Sequence, residues 1–292
     1  MVNRALRSAI RTRSRRARPA SSGSGVLGAD KADRLSFHEP EEEAIALHSR
    51  QAGTFAARYE ALVADPYTSP FTYGRYKVGA LIDSVLASAP EGSRALDAGC
   101  GTGFDLARLQ ARGFEGVGVE PAEEMRRWAK GLNPELLLVG GRIESLPFAD
   151  DSFDLLVAIE VIRYLQDPAP ALSELARVLR AGGVAIITAA PTYSLTGYAI
   201  VNRVTSRVQV PSFAHVKQSF LTVGRAKKLM EEAGFRGLEV HGVFFGPWQA
   251  LARISPGRTT KLLRRYEKFD DRLRGRHRWV NFANHLVLIG RR

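Results

Sequence analysis

Short apolar runs alternate with amphipathic segments along this chain from residue 94 onward. The apolar runs predict strands, and the segments between them repeat apolar residues at helical spacing. Strands are predicted over 94–98, 116–120, 136–139, 153–159, 184–189, 238–245 and 285–289, and helices over 104–111, 121–130, 170–179 and 222–233. Strands that alternate with helices in this way predict an α/β fold whose parallel sheet is covered by helices on both faces.

Turn residues set the expected ends of these elements. Pro121 is a favourable first helical residue, so the second sheet-covering helix is expected to begin there. Gly182 and Gly183 are expected to end the helix over 170–179, since glycine adopts the backbone conformation that commonly stops a helix. Two earlier helices are predicted over 41–64 and 73–87, with Asp65, Pro66, Ser69 and Pro70 between them.

These elements suggest a division of the chain. Residues 1–28 are predicted to be a disordered basic tail because they are rich in Arg, Ser, Ala and Gly. Residues 29–92 are predicted to form an N-terminal helical cap, and residues 93–292 the core. An insertion over 190–218 is interpreted as a substrate lid because it follows a strand's carboxyl end. Residues 258–278 are predicted to form a basic amphipathic helix that packs on the domain or lies on an anionic membrane.

Charge and composition narrow the class of protein. Net charge is +12, but residues 1–29 carry seven arginines without an acid, and the other basic excess lies in residues 258–292. The basicity therefore belongs to the two ends, and it is weak evidence for a nucleic-acid substrate. Cys100 is the single cysteine, which excludes an intrachain disulfide. The sequence contains no apolar run of the length that a transmembrane helix needs.

A glycine loop carries the candidate chemistry. Asp97 ends the first predicted strand, Gly99, Gly101 and Gly103 follow, and Glu120 ends the next strand. Glycines let the backbone approach a ligand closely, and a carboxylate at Glu120 can hold both hydroxyls of a ribose. The spacing departs from the dinucleotide pattern, and Asp97 would repel a pyrophosphate. S-adenosylmethionine (SAM) has a positive amine and no phosphate, so it fits this loop better.

Several segments, taken in order, resemble the class I SAM-dependent methyltransferases, in the branch that acts on small molecules and lipid quinones. The matching segments are 96–103, 118–120, 144–148, 151–154, 178–183 and 232–235. The resemblance covers roughly residues 37–292 and is strongest over 94–189. It implies a seven-stranded, mostly parallel Rossmann-like sheet with a reversed final strand. It also implies methyl transfer from SAM to a small-molecule or lipid-like acceptor.

The resemblance assigns roles to individual positions. Asp97 and the glycine-loop backbone would hold the methionyl part of SAM, and Glu120 would hold the ribose. Arg142 stands where the family usually has an aspartate, and an arginine cannot accept a hydrogen bond from adenine. The adenine is then expected to use the Ile143 N–H. The residues implied to bind SAM are Asp97, Gly99, Cys100, Gly101, Gly103, Glu120, Arg142, Ile143 and Ile159.

A general base is the least defined part of this hypothesis. His215, in the predicted lid, is the candidate because the ordinary pKa of histidine is near neutral. A surface or packing histidine is the alternative. Arg163 and Tyr164 occupy positions where the family often has two histidines, so they are expected to pack at a helix start or to contact substrate. No cluster of His, Asp and Glu in the sequence calls for a metal.

Two other classes of function stay open at this point. One is a protein with the SAM-binding fold that acts as an interaction module without transferring a methyl group. The other is a nucleic-acid methyltransferase, which only the basic ends of the chain support. The favoured hypothesis is a cytoplasmic methyltransferase with no nucleic-acid partner, and the oligomeric state is left open.

Overall fold

A computed structural model describes residues 40–208, 216–274 and 276–292. Within these ranges the strands are β1 (Arg94–Ala98), β2 (Glu115–Val119), β3 (Leu137–Val139), β4 (Phe153–Ala158), β5 (Leu179–Ala189), β6 (Arg236–Phe245) and β7 (Ala283–Arg291). They form one sheet in the order β3-β2-β1-β4-β5-β7-β6. The first five strands are parallel neighbours, and β7 is antiparallel to both β5 and β6. The predicted α/β class and the reversed final strand are confirmed.

Helices cover both faces of this sheet. They are α1 (Pro40–Ala64), α2 (Pro70–Leu86), α3 (Phe104–Gln110), α4 (Glu123–Leu132), α5 (Ala169–Val178), α6 (Tyr198–Val208), α7 (Val223–Glu232), α8 (Trp248–Ile254), α9 (Pro256–Arg274) and α10 (His277–Val280). Successive strand residues point to opposite faces. In β4, Leu156 and Ala158 therefore enter a core with α5 and α7, whereas Leu155 and Val157 enter a core with α2 and α3.

The two N-terminal helices have different roles. α2 is part of the sheet's helical layer, since Val78 and Ile82 are buried in the core beneath it. It begins at Pro70, three residues before its predicted start. The Ser69 hydroxyl accepts from the Thr72 N–H, and the Thr72 hydroxyl accepts from the Ser69 N–H, so the two residues form a capping box. By contrast, α1 packs on α4 and covers the carboxyl ends of the strands.

Two expectations about turns are wrong. Gly182 and Gly183 lie inside β5 and do not end a helix. β5 begins at Leu179, which pairs with Phe153, and the Gly182 N–H donates to the carbonyl of Arg292 at 2.7 Å. Sheet pairing therefore keeps both glycines within β5, at a register shift where Gly182 has φ +79°. Pro121 lies in a turn before α4, which begins at Glu123.

The basic helix is shorter than predicted and is preceded by α8, which the sequence pattern did not reveal. α9 ends at Arg274, and α10 follows as a separate short helix. Leu263 is fully buried, and Lys77 of α2 forms a 2.5 Å salt bridge with Asp271. These contacts pack α9 against the domain. Among the described residues, no helix is long and apolar enough to span a membrane.

The capping box of α2 makes a prediction about stability. Ser69→Ala removes the hydroxyl that accepts the Thr72 N–H, so the free energy of unfolding should fall by about 0.5–2 kcal/mol. Urea unfolding followed by circular dichroism measures this change. Ser88→Ala is the matched control, because the Ser88 hydroxyl bonds an exposed carbonyl in the last turn. Equal stability of the two variants would contradict the prediction.

Candidate cofactor and acceptor site

A cavity of about 680 Å³ opens at the carboxyl ends of the parallel strands. The chain runs from β1 toward β3 on one side and from β4 toward β5 on the other, so a topological switch point lies between β1 and β4. Open α/β sheets bind ligands at such a point because the flanking loops diverge there. The loop after β1 and the turn after β4 form the floor, while α1, α6 and α8 supply walls.

The glycine loop after β1 is held tightly on one side and is open on the other. The N–H groups of Gly99 and Cys100 both donate to the Val119 carbonyl, at 2.7 and 3.0 Å. Gly99 has φ +76°, and a Cβ there would lie 2.4 Å from a Val161 methyl group. Gly101 has φ +54°, and a Cβ there would meet no atom within 4 Å. The loop therefore leaves room for a ligand against the Gly101 backbone.

Glu120 lies directly after β2 and is 7% exposed. One carboxylate oxygen accepts from the Gly101 N–H at 3.0 Å, and the other accepts from the Ala122 N–H at 2.9 Å. Burial raises the pKa of this carboxyl group. Each oxygen keeps a second lone pair, so the fixed carboxylate can still accept two hydroxyl groups.

Asp97 and Arg75 hold unpaired polar atoms in the cavity wall. Among the described residues, Asp97 Oδ2, Arg75 Nε and Arg75 Nη1 are the buried side-chain atoms without a hydrogen-bond partner. The residues are 2% and 4% exposed, and both line the cavity. Buried polar groups without partners are rare because losing water without replacement costs about 1–3 kcal/mol each. A ligand with one ammonium and one carboxylate group would satisfy both residues.

The two aspartates near Arg75, Asp97 and Asp105, differ in how their charge is compensated. Burial raises the pKa of Asp97 well above its ordinary value, and repulsion from Asp105 adds to this shift. Arg75 also donates through Nη2 to Asp105, which in turn pairs with Arg108 at 3.0 Å. Asp105 is thus neutralised by two arginines, whereas Asp97 keeps a free oxygen toward the cavity. A cationic group is the partner that this carboxylate lacks.

Arg75 is not among the site residues predicted from the sequence, because α2 is predicted there as part of a cap. One signal was available: Arg75 shares a helical stripe with Val78 and Ile82, which are buried. A lone arginine on an apolar stripe needs a buried partner.

The other predicted cofactor residues lie along the same cavity. Cys100, Ile143 and Ile159 are buried and line it, and burial raises the pKa of the Cys100 thiol. Arg142 lies at the rim, where its guanidinium forms a salt bridge with Glu42 of α1 and lies 3.8 Å from Glu144. Arg142 therefore ties the covering helix to the cavity edge. Gly103 lies directly before α3 and is not part of the lining.

A second charged group lies across the cavity, at the end of β4. Glu160 has φ +62°, a left-handed conformation that is unfavourable for a residue with a side chain. Its carboxylate accepts from Arg163, and from His285 Nδ1 at 2.9 Å. Burial alone would raise the pKa of Glu160, but these two neighbours hold it well below the ordinary value. Backbone strain of this kind is concentrated at functional sites.

Aromatic side chains surround Glu160 on the α1 side. Tyr59 stacks on Phe104 with ring centroids 4.5 Å apart, and His48 meets the edge of Tyr164 at 4.8 Å. Burial raises the pKa of Tyr164 to about 12 and lowers that of His48. Both rings are therefore neutral at neutral pH, and this wall offers an apolar surface to a ligand.

Arg163 connects this group to the insertion after β5. Its Nε and Nη2 both donate to Gln218 Oε1, at 2.9 and 2.6 Å. Arg163 and Tyr164 are among the candidates predicted from the sequence, whereas Glu160 and His285 are not. His215, the predicted general base, lies outside the described residues. Among the residues that are described, no group of three or more His, Cys, Asp or Glu could hold a metal ion.

Residues 96–187 match the family model of a methyltransferase domain. Over 164 residues the chain is 33% identical to the biotin biosynthesis bifunctional protein BioHC of Cellvibrio japonicus, covering 55% of this chain and 31% of that protein. It is 29% identical over 164 residues to a probable S-adenosylmethionine-dependent methyltransferase of Mycolicibacterium smegmatis, covering 55% of this chain and 59% of that protein. The chain therefore spans about one third to three fifths of the length of these two curated relatives.

Solved structures share the fold. A SAM-dependent methyltransferase of Thermotoga maritima superposes with a TM-score of 0.57 and 20% identity, covering 84% of this chain and 98% of that one. A second, from Mesorhizobium loti, has a TM-score of 0.50 and 20% identity, covering 72% and 96%. Residues 96–187 thus match a methyltransferase domain, and the sheet and its helices have the fold of SAM-dependent methyltransferases.

The raised pKa of Asp97 predicts a pH dependence for SAM affinity. An ammonium partner favours the ionised carboxylate, so affinity should be full above the raised pKa and should fall as the pH drops through it. Titration calorimetry across a pH series measures this, with Asp97→Asn as the control that cannot titrate. Parallel pH profiles for the wild-type protein and this variant would show that Asp97 does not contact the amine.

Proposed function

We propose that this chain transfers the methyl group of SAM to a small-molecule or lipid-like acceptor bound beside Glu160. The observation that carries the proposal is the pair of unsatisfied, oppositely charged side chains, Asp97 and Arg75, on one cavity wall. An α-amino acid carries the two charges that this pair lacks, and SAM ends in an α-amino acid. The unpaired atoms of Asp97 and Arg75 therefore match the amine and the carboxylate of SAM.

Different residues would bind different parts of the cofactor. Asp97 would hold the amine, Arg75 the carboxylate, and Glu120 the ribose hydroxyls, while Gly101 leaves space along the backbone. Charge-assisted hydrogen bonds are the strong ones, so the two ends of the amino acid would fix its position. When bound, SAM supplies a methyl group on a positively charged sulfur that makes the methyl electrophilic.

Glu160 would orient the acceptor and would not take its proton. Arg163 and His285 hold its pKa well below the ordinary value, which makes the carboxylate a weak base. An ionised carboxylate can still accept a hydrogen bond from a hydroxyl or amine and so align that atom. The aromatic wall of Tyr59, Phe104 and Tyr164 excludes water from the same space.

The lining supports an acceptor with an apolar or planar part. Phe55 and Phe71 extend the aromatic wall, and Val201 of α6 adds an aliphatic side chain to the lining. The Cellvibrio relative is named for the biosynthesis of biotin, a small molecule. Both observations favour a small-molecule or lipid-like acceptor over a nucleic acid.

Cofactor binding can be tested one residue at a time. Asp97→Ala, Glu120→Ala and Arg75→Met should each weaken SAM binding by about tenfold to a hundredfold, because each removes a charge-assisted hydrogen bond worth roughly 1.5–3 kcal/mol. Titration calorimetry gives the dissociation constants. Arg112→Met is the matched control, since Arg112 pairs with Asp83 outside the cavity. Wild-type affinity in folded Arg75→Met would remove Arg75 from the cofactor site.

The acceptor side makes a separate prediction. Glu160→Gln keeps the shape of the side chain but loses its charge, so kcat should fall by about tenfold to a hundredfold while SAM affinity changes little. Methyl transfer to the acceptor, identified by comparing methylated metabolites with and without the gene, measures the rate. Glu174→Gln is the control, because this carboxylate also pairs with an arginine, Arg177, away from the cavity. An unchanged kcat would remove Glu160 from the acceptor site.

A further inference from the structure

Helix α6 in the insertion after β5 buries a polar side chain and exposes several apolar ones. Asn202 points inward and is 3% exposed; its Nδ2 donates to the Val216 carbonyl, and its Oδ1 accepts from the Gln218 N–H. Ile200, Val201 and Val204 point outward, with exposed fractions of 71%, 42% and 57%. A globular protein normally buries such residues, so a row of them on one helix indicates a surface that binds something.

This apolar face lies at the mouth of the cavity. Val201 is exposed and also lines the cavity, so apolar surface continues from the outside to the inside. The turn before α6 contacts the segment before β7, where the Leu195 N–H donates to the Phe282 carbonyl at 3.3 Å. Leu195 and Phe282 are 47% and 37% exposed, and Trp279 beside Phe282 is 44% exposed. Aromatic rings of this kind are enriched where a protein meets a membrane interface.

Exposed basic residues lie on the helix that follows α8, one of the walls of the same cavity. α8 lines the cavity through Gln249 and Ala250, and it ends at Ile254, which is 82% exposed. α9 starts two residues later and presents Arg258 and Lys261 on the surface. An apolar helix face at the cavity mouth, together with exposed cations on the helix that follows α8, matches a bilayer that has an apolar interior and anionic headgroups.

We propose that the apolar face of α6 (Ile200, Val201 and Val204) docks the cavity mouth on an anionic lipid bilayer, from which the acceptor enters. The inference rests on the proposed function and specifies it: the acceptor is a lipid or an amphipathic molecule dissolved in the bilayer. Charge favours the bilayer over a second copy of the chain. A second copy would bring the same net charge of +12, whereas anionic headgroups carry the opposite charge.

The test uses the full chain and vesicles of phosphatidylcholine, with or without phosphatidylglycerol. The variant is Ile200→Ser/Val204→Ser, which spares Val201 because that residue lines the cavity. Leu132→Ser/Leu137→Ser is the matched control: Leu132 ends α4 and Leu137 lies in the edge strand β3, and both are exposed aliphatic side chains, at 38% and 60%. Co-sedimentation gives the partition coefficient of each protein.

Wild type and control should bind the anionic vesicles alike, and the α6 variant should bind at least about tenfold more weakly, because two buried aliphatic side chains are lost. Binding to neutral vesicles should be weaker for all three proteins. No binding by the wild type, or equal binding by the α6 variant, would overturn the proposal. So would a wild-type dimer that the α6 variant converts to a monomer in light scattering, since a second copy would then occupy the face.

SAM titration of the same preparations separates this inference from the proposed function. Loss of vesicle binding with unchanged SAM affinity in the α6 variant supports docking through α6. A wild-type chain that binds SAM and not vesicles overturns docking alone. A chain that binds vesicles and not SAM overturns the proposed function and leaves the docking surface standing.

Discussion

The unpaired carboxylate of Asp97 is the constraint on which the cavity depends. A buried negative charge needs a partner, and the surrounding residues supply none to Oδ2. Asp105, which is close enough to repel it, is neutralised by Arg75 and Arg108. That arrangement keeps Asp97 from collapsing onto Arg75, and it leaves two guanidinium nitrogens of Arg75 unpaired as well. The unpaired atoms of Asp97 and Arg75 therefore follow from the way α2 and α3 place Arg75, Asp105 and Arg108.

Polar contacts between distant segments assemble the rest of the site. Glu41 and Glu42 of α1 reach the Gln166 backbone and Arg142, respectively, so the covering helix is attached at two points of the rim. On the other side, Arg163 joins Glu160 to Gln218 in the insertion. The insertion and the turn after β4 thus share one guanidinium. Movement of the insertion or of the turn would therefore change the position of Glu160, the residue with strained backbone beside which the acceptor is proposed to bind.

The turn after β1 can be predicted from the sequence because its signal is local. The loop from Asp97 to Gly103 follows β1, and Glu120 follows the neighbouring strand β2. The spacing of the glycines indicates a turn, because glycine adopts the positive φ angles that this turn requires. Predictions from the sequence are wrong or incomplete where sheet pairing or tertiary contacts determine the structure. Gly182 and Gly183 have strong turn propensity, yet hydrogen bonds with Arg292 hold them in β5. Residues 75, 160 and 285 come from three separate elements, and no periodicity relates them.

The position of β7 has a consequence for how the site comes into being. β7 lies between β5 and β6 and runs against them, so its first residues, and not its last, lie at the ligand-binding edge. His285 reaches Glu160 only across a sequence separation of 125 residues. An interior strand cannot be added after the sheet is complete, so the nascent chain must hold β5 and β6 apart or unformed until β7 emerges from the ribosome. Contacts of such long range slow folding, and they make the acceptor side of the cavity one of the last features to form.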